Sequence, residues 1–296
     1  MIDLHTHTNN SDGSNSTIEL LQKAESAGVK ILSITDHNNC LAYEELKNID
    51  IRKHFSGTII AGVEFYAVCM GRNIELLGYG VDVDIINKEV KNLYLSFEET
   101  EYVIAKNLIA KCKSLGVELE ENLIDKFDIK KERIFEFIFK QLIKNEENRK
   151  FFKVEEAWGN WYKFARLEFS NPNSNFFMNP GLITPSFEVV SDLIKKAGGL
   201  IFVAHIFEYG DAMKIFDYIN NHHKVDGYEC YYPTFSQDQI KFLTDYCKAN
   251  NLFMSGGSDY HGKIKPQISL GTGINNNLIV PEKEINKWIN LCKTIE

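Results

Sequence analysis

The chain has 296 residues, 44% of them hydrophobic and 25% charged, the composition of a folded globular protein with enough chain to bury a sizeable core. Its formal net charge is −8 and no run of five or more Lys or Arg occurs, so a broad electrostatic grip on duplex nucleic acid is not expected. No apolar run reaches transmembrane length, and the opening MIDLHTHTNN has neither a basic segment nor an apolar signal core, so the expected compartment is the cytoplasm, with no membrane partner.

Short apolar runs alternate with amphipathic stretches, which predicts an α/β fold with a largely parallel sheet. Strands are expected at 2–5, 31–35, 58–63, 200–204, 227–230 and 252–255, with a further one, parallel or antiparallel, at 74–78. Ser16 and Glu19 have capping-box spacing and open a helix that stops at Gly28. Pro185 and Ser186 open another, ending at Gly198–Gly199. Ser236 and Gln239 repeat the box before a helix that closes near Asn250 and Asn251, and Pro281 starts the last one. From about 93 to 180 the pattern is helical, rich in Phe, Lys and Glu, with 171–181 as a loop-like exit. This stretch reads as a helical insertion in a single barrel-like domain spanning 1–296. The six cysteines are scattered without a C-x-x-C pair and read as reduced thiols.

The eight histidines carry the chemistry, and none falls in the helical stretch. His5 and His7 form a His-x-His pair at the end of the first expected strand, and strand periodicity points both the same way. His37 follows Asp36 after the second strand, His205 ends the 200–204 strand, and His261 lies just past the 252–255 strand. In a barrel, parallel strand ends share one rim. A lone histidine there is a satisfied turn residue, but five with Asp12, Glu64 and Asp259 beside them suit zinc, manganese or iron rather than calcium. His54, His222 and His223 are expected on the surface. The glycine pairs at Gly78/Gly80 and Gly271/Gly273 lack the spacing of a nucleotide fingerprint.

The segments Asp3-Leu4-His5-Thr6-His7, Ser11-Asp12-Gly13, Thr35-Asp36-His37-Asn38, Gly62-Val63-Glu64, Ala204-His205 and Gly257-Ser258-Asp259-Tyr260-His261-Gly262 resemble the motifs of the PHP family, named for polymerase and histidinol phosphatase. The resemblance spans nearly the whole chain and looks closest to the small stand-alone phosphoesterases of nucleotides and short oligonucleotides. It implies a distorted (β/α)7 barrel with a helical insertion and two or three divalent ions (Mn, Fe or Zn) at the strand ends. Carried over by position, His5, His7, Glu64 and Asp259 hold a first ion; Glu64 bridges to a second, also bound by His205; Asp12, His37 and His261 hold a third. Asp36 either orients an imidazole or serves its turn. The implied reaction is hydrolysis of a phosphate ester by a metal-bound hydroxide. The alternatives are a phosphatase of a non-nucleotide monoester such as histidinol phosphate, and a non-catalytic metal-binding module.

Three positions depart from that pattern. Glu75 stands where relatives carry a histidine, and a glutamate there still offers a ligand oxygen. Arg133-Ile134-Phe135 keeps the arginine of an Arg-Pro-His segment but lacks the proline and histidine; Arg133 is either a phosphate clamp or a solvated helix arginine. Phe235 stands where relatives often place a histidine. Tyr231 and Tyr232 either stack on a base or line an aromatic wall.

Overall fold

The computed structural model describes residues 1–117, 119, 120 and 122–295, in two compact units: 1–93 together with 185–296, and 94–184. In chain order the first unit contributes β1 (Ile2–Asp3), α1 (Thr17–Ala27), β2 (Ile31–Ile34), α2 (Leu41–Leu46), β3 (Thr58–Cys69), β4 (Arg72–Tyr79) and α3 (Val83–Leu93). The second unit supplies α4 (Phe97–Ser114), α5 (Ile134–Leu142), α6 (Trp161–Phe164) and several single turns, with no strand among its described residues. The first unit resumes with α7 (Phe187–Lys196), β5 (Leu200–Val203), α8 (Ala212–His222), β6 (Gly227–Tyr231), α9 (Gln237–Ala249), β7 (Phe253–Gly256), α10 (Glu282–Ile285) and β8 (Thr294–Ile295).

Strands β1 to β7 lie side by side in chain order in one curled sheet. The pairs β1–β2, β2–β3, β5–β6 and β6–β7 are parallel, whereas β4 runs antiparallel to both neighbours. Past the assigned strands the two edges meet: Leu4 N donates to Gly256 O, Asp259 N to His5 O and His7 N to Tyr260 O. The result is a distorted barrel. Short apolar strands buried on both faces suit parallel pairing, and the helices between them start at the expected caps. Ser16 with Glu19 and Ser236 with Gln239 form complete capping boxes, and Ser186 caps α7.

The sheet differs from expectation at β3, which runs to Cys69 instead of stopping at Val63. Met70 and Gly71, both at positive φ, turn the chain straight back into β4 as a two-residue hairpin. A methionine at the first turn position lacks the Asn or Asp that would have announced it. Glu64 therefore sits inside a long strand, just beyond the point where β2 ceases to pair with it.

Each unit has its own core. In the first, Ile2, Leu4, Ile60, Leu77, Phe202 and Trp288 belong to one buried cluster, and the hydroxyl of Tyr79 donates to Leu4 O at 2.9 Å. In the second, Leu108, Ile134, Ile138, Phe164 and Phe176 pack together with almost no exposure. The six cysteines are free, as expected. No helix among the described residues is long and apolar enough to cross a membrane.

Candidate metal centre

Beyond β1 the chain stays extended, so residues alternate. Thr6 turns to β2, its hydroxyl donating to Ser33 O, while His5 and His7 turn the other way. There they meet Glu64 from β3 and Asp259 from the segment after β7. Both residues at 256 and 257 must be glycine for this approach. A Cβ on Gly257 would stand 2.3 Å from His5 N and 2.4 Å from its Cβ, and one on Gly256 would stand 2.6 Å from Tyr231 Cβ. The glycines thus let two strand ends come together. Asp259 and His205 both adopt positive φ (57° and 22°), a conformation that costs an L-residue about 1–3 kcal/mol and marks places where the surroundings dictate the backbone.

His5 Nε2 lies 3.2 Å from Glu64 Oε2 and 3.6 Å from Asp259 Oδ1; His7 Nε2 lies 3.3 Å from each of the same two oxygens. Donor atoms spaced in this way match a shell at about 2.1 Å from one ion, whose tetrahedral edges are about 3.4 Å. Both Nε2 atoms are buried without a hydrogen-bond partner. Two imidazole nitrogens turned at two carboxylates in a buried place form an arrangement that positive charge between them, a metal ion or protons, makes favourable. The residues fit a metal ion.

Two further clusters adjoin this one. His205 Nε2 lies 3.1 Å from Glu64 Oε1 and 3.4 Å from Glu75 Oε2, so Glu64 offers one oxygen to each side. Asp12 Oδ1 is 3.1 Å from His261 Nε2 and 3.5 Å from His7 Nδ1, and Asp12 Oδ2 is 3.7 Å from His37 Nε2. The structure thus brings together all nine expected ligands: His5, His7, Asp12, His37, Glu64, Glu75, His205, Asp259 and His261. Donor atoms close enough to share an ion occur in the sets His7–Asp12–His37–His261, His5–His7–Glu64, His5–His205–Glu229 and His37–Glu64–Glu75. Here His7 faces two clusters, one from each ring nitrogen.

The electrostatics point the same way. Burial works against charge on His5, but the carboxylates of Glu64, Glu229 and Asp259 outweigh it and hold the ring well above the ordinary imidazole range. His7 and His205 are likewise raised to about 9 despite burial, by Asp259 and Glu64 in one case and by Glu75 and Glu64 in the other. Burial lowers His37 to about 4, while burial and then the Glu64 carboxylate raise Glu75 to about 7. Such a field demands positive charge at its centre, from protons or from metals.

One residue at the centre is not among those expected from the sequence. Glu229, fully buried on β6, accepts from His5 Nδ1 at 2.9 Å and from His205 N at 2.9 Å. It fixes the His5 tautomer and presents Nε2 to the site, the usual part of a carboxylate behind a metal-binding imidazole. A lone acid in the otherwise apolar Gly-Tyr-Glu-Cys-Tyr strand was the available signal. Asp259 is braced similarly, since Oδ2 accepts from the Tyr232 hydroxyl (2.7 Å) and Lys265 Nζ (2.6 Å), leaving Oδ1 for the cluster.

Asp36 and Arg133 have other partners. Asp36 accepts from Thr8 N (2.7 Å), the Thr8 hydroxyl (2.6 Å) and the Ser11 hydroxyl (2.6 Å), and Ser11 in turn lies 3.4 Å from His7 Nδ1. It therefore shapes the loop that carries Asp12 and touches an imidazole only through Ser11. Arg133, in the second unit, stands at the N-cap position of α5 without a side-chain cap bond, donates from Nε and Nη2 to the buried Glu101 at 3.1 and 2.8 Å, and lies over the Phe97 ring. Phe135 packs edge-on to Phe169, and Phe235 packs against Phe207 and Tyr232. Tyr232 lies 5.2 Å from the His205 ring, as a wall residue would.

Above the clusters opens a cavity of about 320 Å³ lined by nine groups that can carry charge and by three tyrosines, Tyr66, Tyr209 and Tyr232. Tyr66 stacks on His37, and Tyr209 donates to Glu75 at 3.1 Å.

A family model described as PHP domain matches residues 3–153, half of the chain. A 5′-3′ exoribonuclease of Haemophilus influenzae is 34% identical over 80 residues, 27% of this chain and 28% of that protein, so the alignment covers under a third of the curated relative. Among solved structures, an amidohydrolase of Chromobacterium violaceum with bound sulfate superposes with a TM-score of 0.60 at 19% identity, covering 98% of this chain and 95% of its own. A Bifidobacterium adolescentis protein, provisionally described as a metal-dependent phosphoesterase, superposes at 0.59 with 18% identity, covering 98% and 96%. At such identities the likeness is one of fold.

Proposed function

The chain belongs to the PHP family, and from that premise we propose that it is a metal-dependent phosphoesterase that hydrolyses a phosphate ester of a nucleotide or short oligonucleotide. The observation that carries this reading is the pair of buried, unpartnered Nε2 atoms of His5 and His7 facing Glu64 and Asp259. The substrate class rests on the sequence motifs and on the exoribonuclease relative. Nothing about Phe135 and Phe235 favours a particular substrate, since both are spent on apolar packing.

His5, His7, Glu64 and Asp259 would hold one ion, Glu64, His205 and Glu75 a second, and Asp12, His37 and His261 a third. Manganese, iron and zinc all suit this mixture of imidazole and carboxylate. When bound, such ions polarise phosphoryl oxygens and bring the pKa of water to about 7. The chain's own residues supply the rest. Glu229 holds His5 in the tautomer that leaves Nε2 free, and Tyr232 and Lys265 turn Asp259 so that one oxygen serves the centre. Asp36 fixes the loop bearing Asp12. Tyr209 keeps Glu75 directed at His205. Among the described residues no serine or cysteine lines the cavity.

The test is phosphate release by manganese-loaded protein from nucleoside monophosphates, 3′,5′-bisphosphates, short RNA and histidinol phosphate. Selective turnover of a nucleotide or RNA is expected. Turnover of histidinol phosphate alone would move the substrate class, and no turnover with metal bound would remove the catalytic reading.

A further inference from the structure

We propose that Lys265 is a phosphate-binding residue of the barrel unit, its ammonium taking a non-bridging phosphoryl oxygen of the substrate beside the metal centre. The inference rests on the phosphoesterase reading for its ligand but on separate geometry.

The cavity over the clusters is strongly acidic. Asp12, Glu64, Glu75, Glu208 and Asp259 all line it, and among the described residues Lys265 is the only Lys or Arg that does. A phosphate monoester carries up to two negative charges and meets mostly carboxylates there. Some of that repulsion is offset by ions, but a fixed cation on the rim contributes a hydrogen bond as well as charge. Lys265 is placed for it. Its Nζ stands 2.6 Å from Asp259 Oδ2, one carboxylate away from the oxygen that faces His5 and His7, and its side chain remains 35% exposed. An ammonium has three donors. Asp259 uses one, leaving two for a ligand.

The backbone around Lys265 is also held. Ile268 N donates to Lys265 O at 3.0 Å, closing a turn with Pro266 at its second position, where the fixed φ of proline favours the bend. On the other side Ser14 ties the loop down, its N donating to His261 O and its hydroxyl accepting from Lys263 N at 2.7 Å. A flexible lysine stem on a fixed base delivers a point charge over a small volume, which suits a tetrahedral anion approached from one side. Arg133, the other candidate for this task, has its guanidinium on Glu101 and over Phe97. The Asp259 contact does double service. An Asp259 that shares its charge with an ion releases part of its hold on Lys265, so loading the centre makes the ammonium more available to phosphate.

The experiment compares metal-loaded wild type, Lys265→Met and Lys265→Arg. Metal content, inorganic phosphate binding by calorimetry, and KM and kcat for the best substrate of the panel are measured in parallel. Expected for Lys265→Met are unchanged metal content at saturating metal, because the Tyr232 hydroxyl still holds Asp259 Oδ2, with phosphate binding weakened at least tenfold and KM raised by a similar factor, kcat moving less. Lys265→Arg should recover most of the binding. Unchanged phosphate binding and KM in Lys265→Met would overturn the inference. So would a loss of metal in step with activity, which would make Lys265 only a brace for Asp259. Should Lys265→Met fail to fold, Lys265→Gln serves the same comparison. Wild type that binds phosphate through Lys265 yet turns over no ester would overturn the phosphoesterase reading and leave this site standing.

Discussion

Replacing Glu229 by glutamine should weaken metal binding without touching any atom proposed to hold a metal. The wild-type carboxylate serves two donors at once, His5 Nδ1 and His205 N, each at 2.9 Å, in a fully buried place. Glutamine has almost the same shape but one acceptor oxygen, so whichever donor it serves, its NH₂ is turned on the other. The negative charge that makes the His5 ring a stronger base is lost as well. Removing such a partner behind a metal-binding imidazole typically lowers affinity by about 10–100-fold, or about 1.4–2.7 kcal/mol. An unsatisfied buried donor costs about 1–3 kcal/mol, and in a domain of this size each kcal/mol lowers Tm by about 2–4 °C. Metal affinity would be read by competition with a chelating dye, and the fold checked by circular dichroism. Wild-type affinity in a folded Glu229→Gln protein would refute the assignment of Glu229 as the residue that aims His5.

Metal loading at pH 7 should release two or more protons, because without metal His7 and His205 are raised to about 9 and His5 is held well above the ordinary imidazole range by its carboxylate neighbours, whereas a ligand imidazole is neutral. Affinity should accordingly rise with pH up to about 9 and then level; calorimetry in two buffers of different ionisation heat counts the protons, and a count of zero contradicts the electrostatic picture. Asp36→Ala should lower the stability of the metal-free protein by about 3 kcal/mol or more, since Thr8 N, the Thr8 hydroxyl and the Ser11 hydroxyl all lose their acceptor. An unchanged urea midpoint would show that the loop does not depend on it. Gly257→Ala should cost about 1–3 kcal/mol through overpacking, because its Cβ meets backbone and Cβ atoms of His5 that cannot swing aside. Metal affinity should fall with it, and a variant with wild-type melting and wild-type affinity would contradict the close approach.

The parts of this site that were legible in the sequence are those where an unusual residue meets a regular pattern. Histidines are rare, and five of them falling at the ends of apolar runs identify a rim before any coordinate is known. Glu75 was legible as a ligand oxygen in a histidine's place, and the structure sets it 3.4 Å from His205. Capping boxes at Ser16 and Ser236 were legible because their contacts are local. What could not be read depends on residues distant in the chain. Glu229 is separated from His5 by 224 positions, and a carboxylate in a strand gives no hint of the ring it will meet. Lys265 looks like any loop lysine until the turn at Pro266 carries it to Asp259. The length of β3 is not legible because a methionine holds the first turn position of the Met70–Gly71 hairpin, and without that turn the sequence leaves β4 open between the parallel and antiparallel settings, of which the structure has the antiparallel one. Arg133 was singled out by motif, and its partner Glu101, 32 positions earlier, was not visible from there.

The central claim is that this cluster of histidines and carboxylates holds divalent ions that act on a phosphate ester. Its most direct test is to titrate metal-stripped protein with manganese while following metal-to-protein ratio and phosphate release together, for wild type and Asp259→Ala. The account predicts that turnover rises with occupancy to two or three ions in the wild type, and that Asp259→Ala remains folded, binds less metal and is inactive. Phosphate release that persists in stripped protein, or in folded Asp259→Ala, would contradict it.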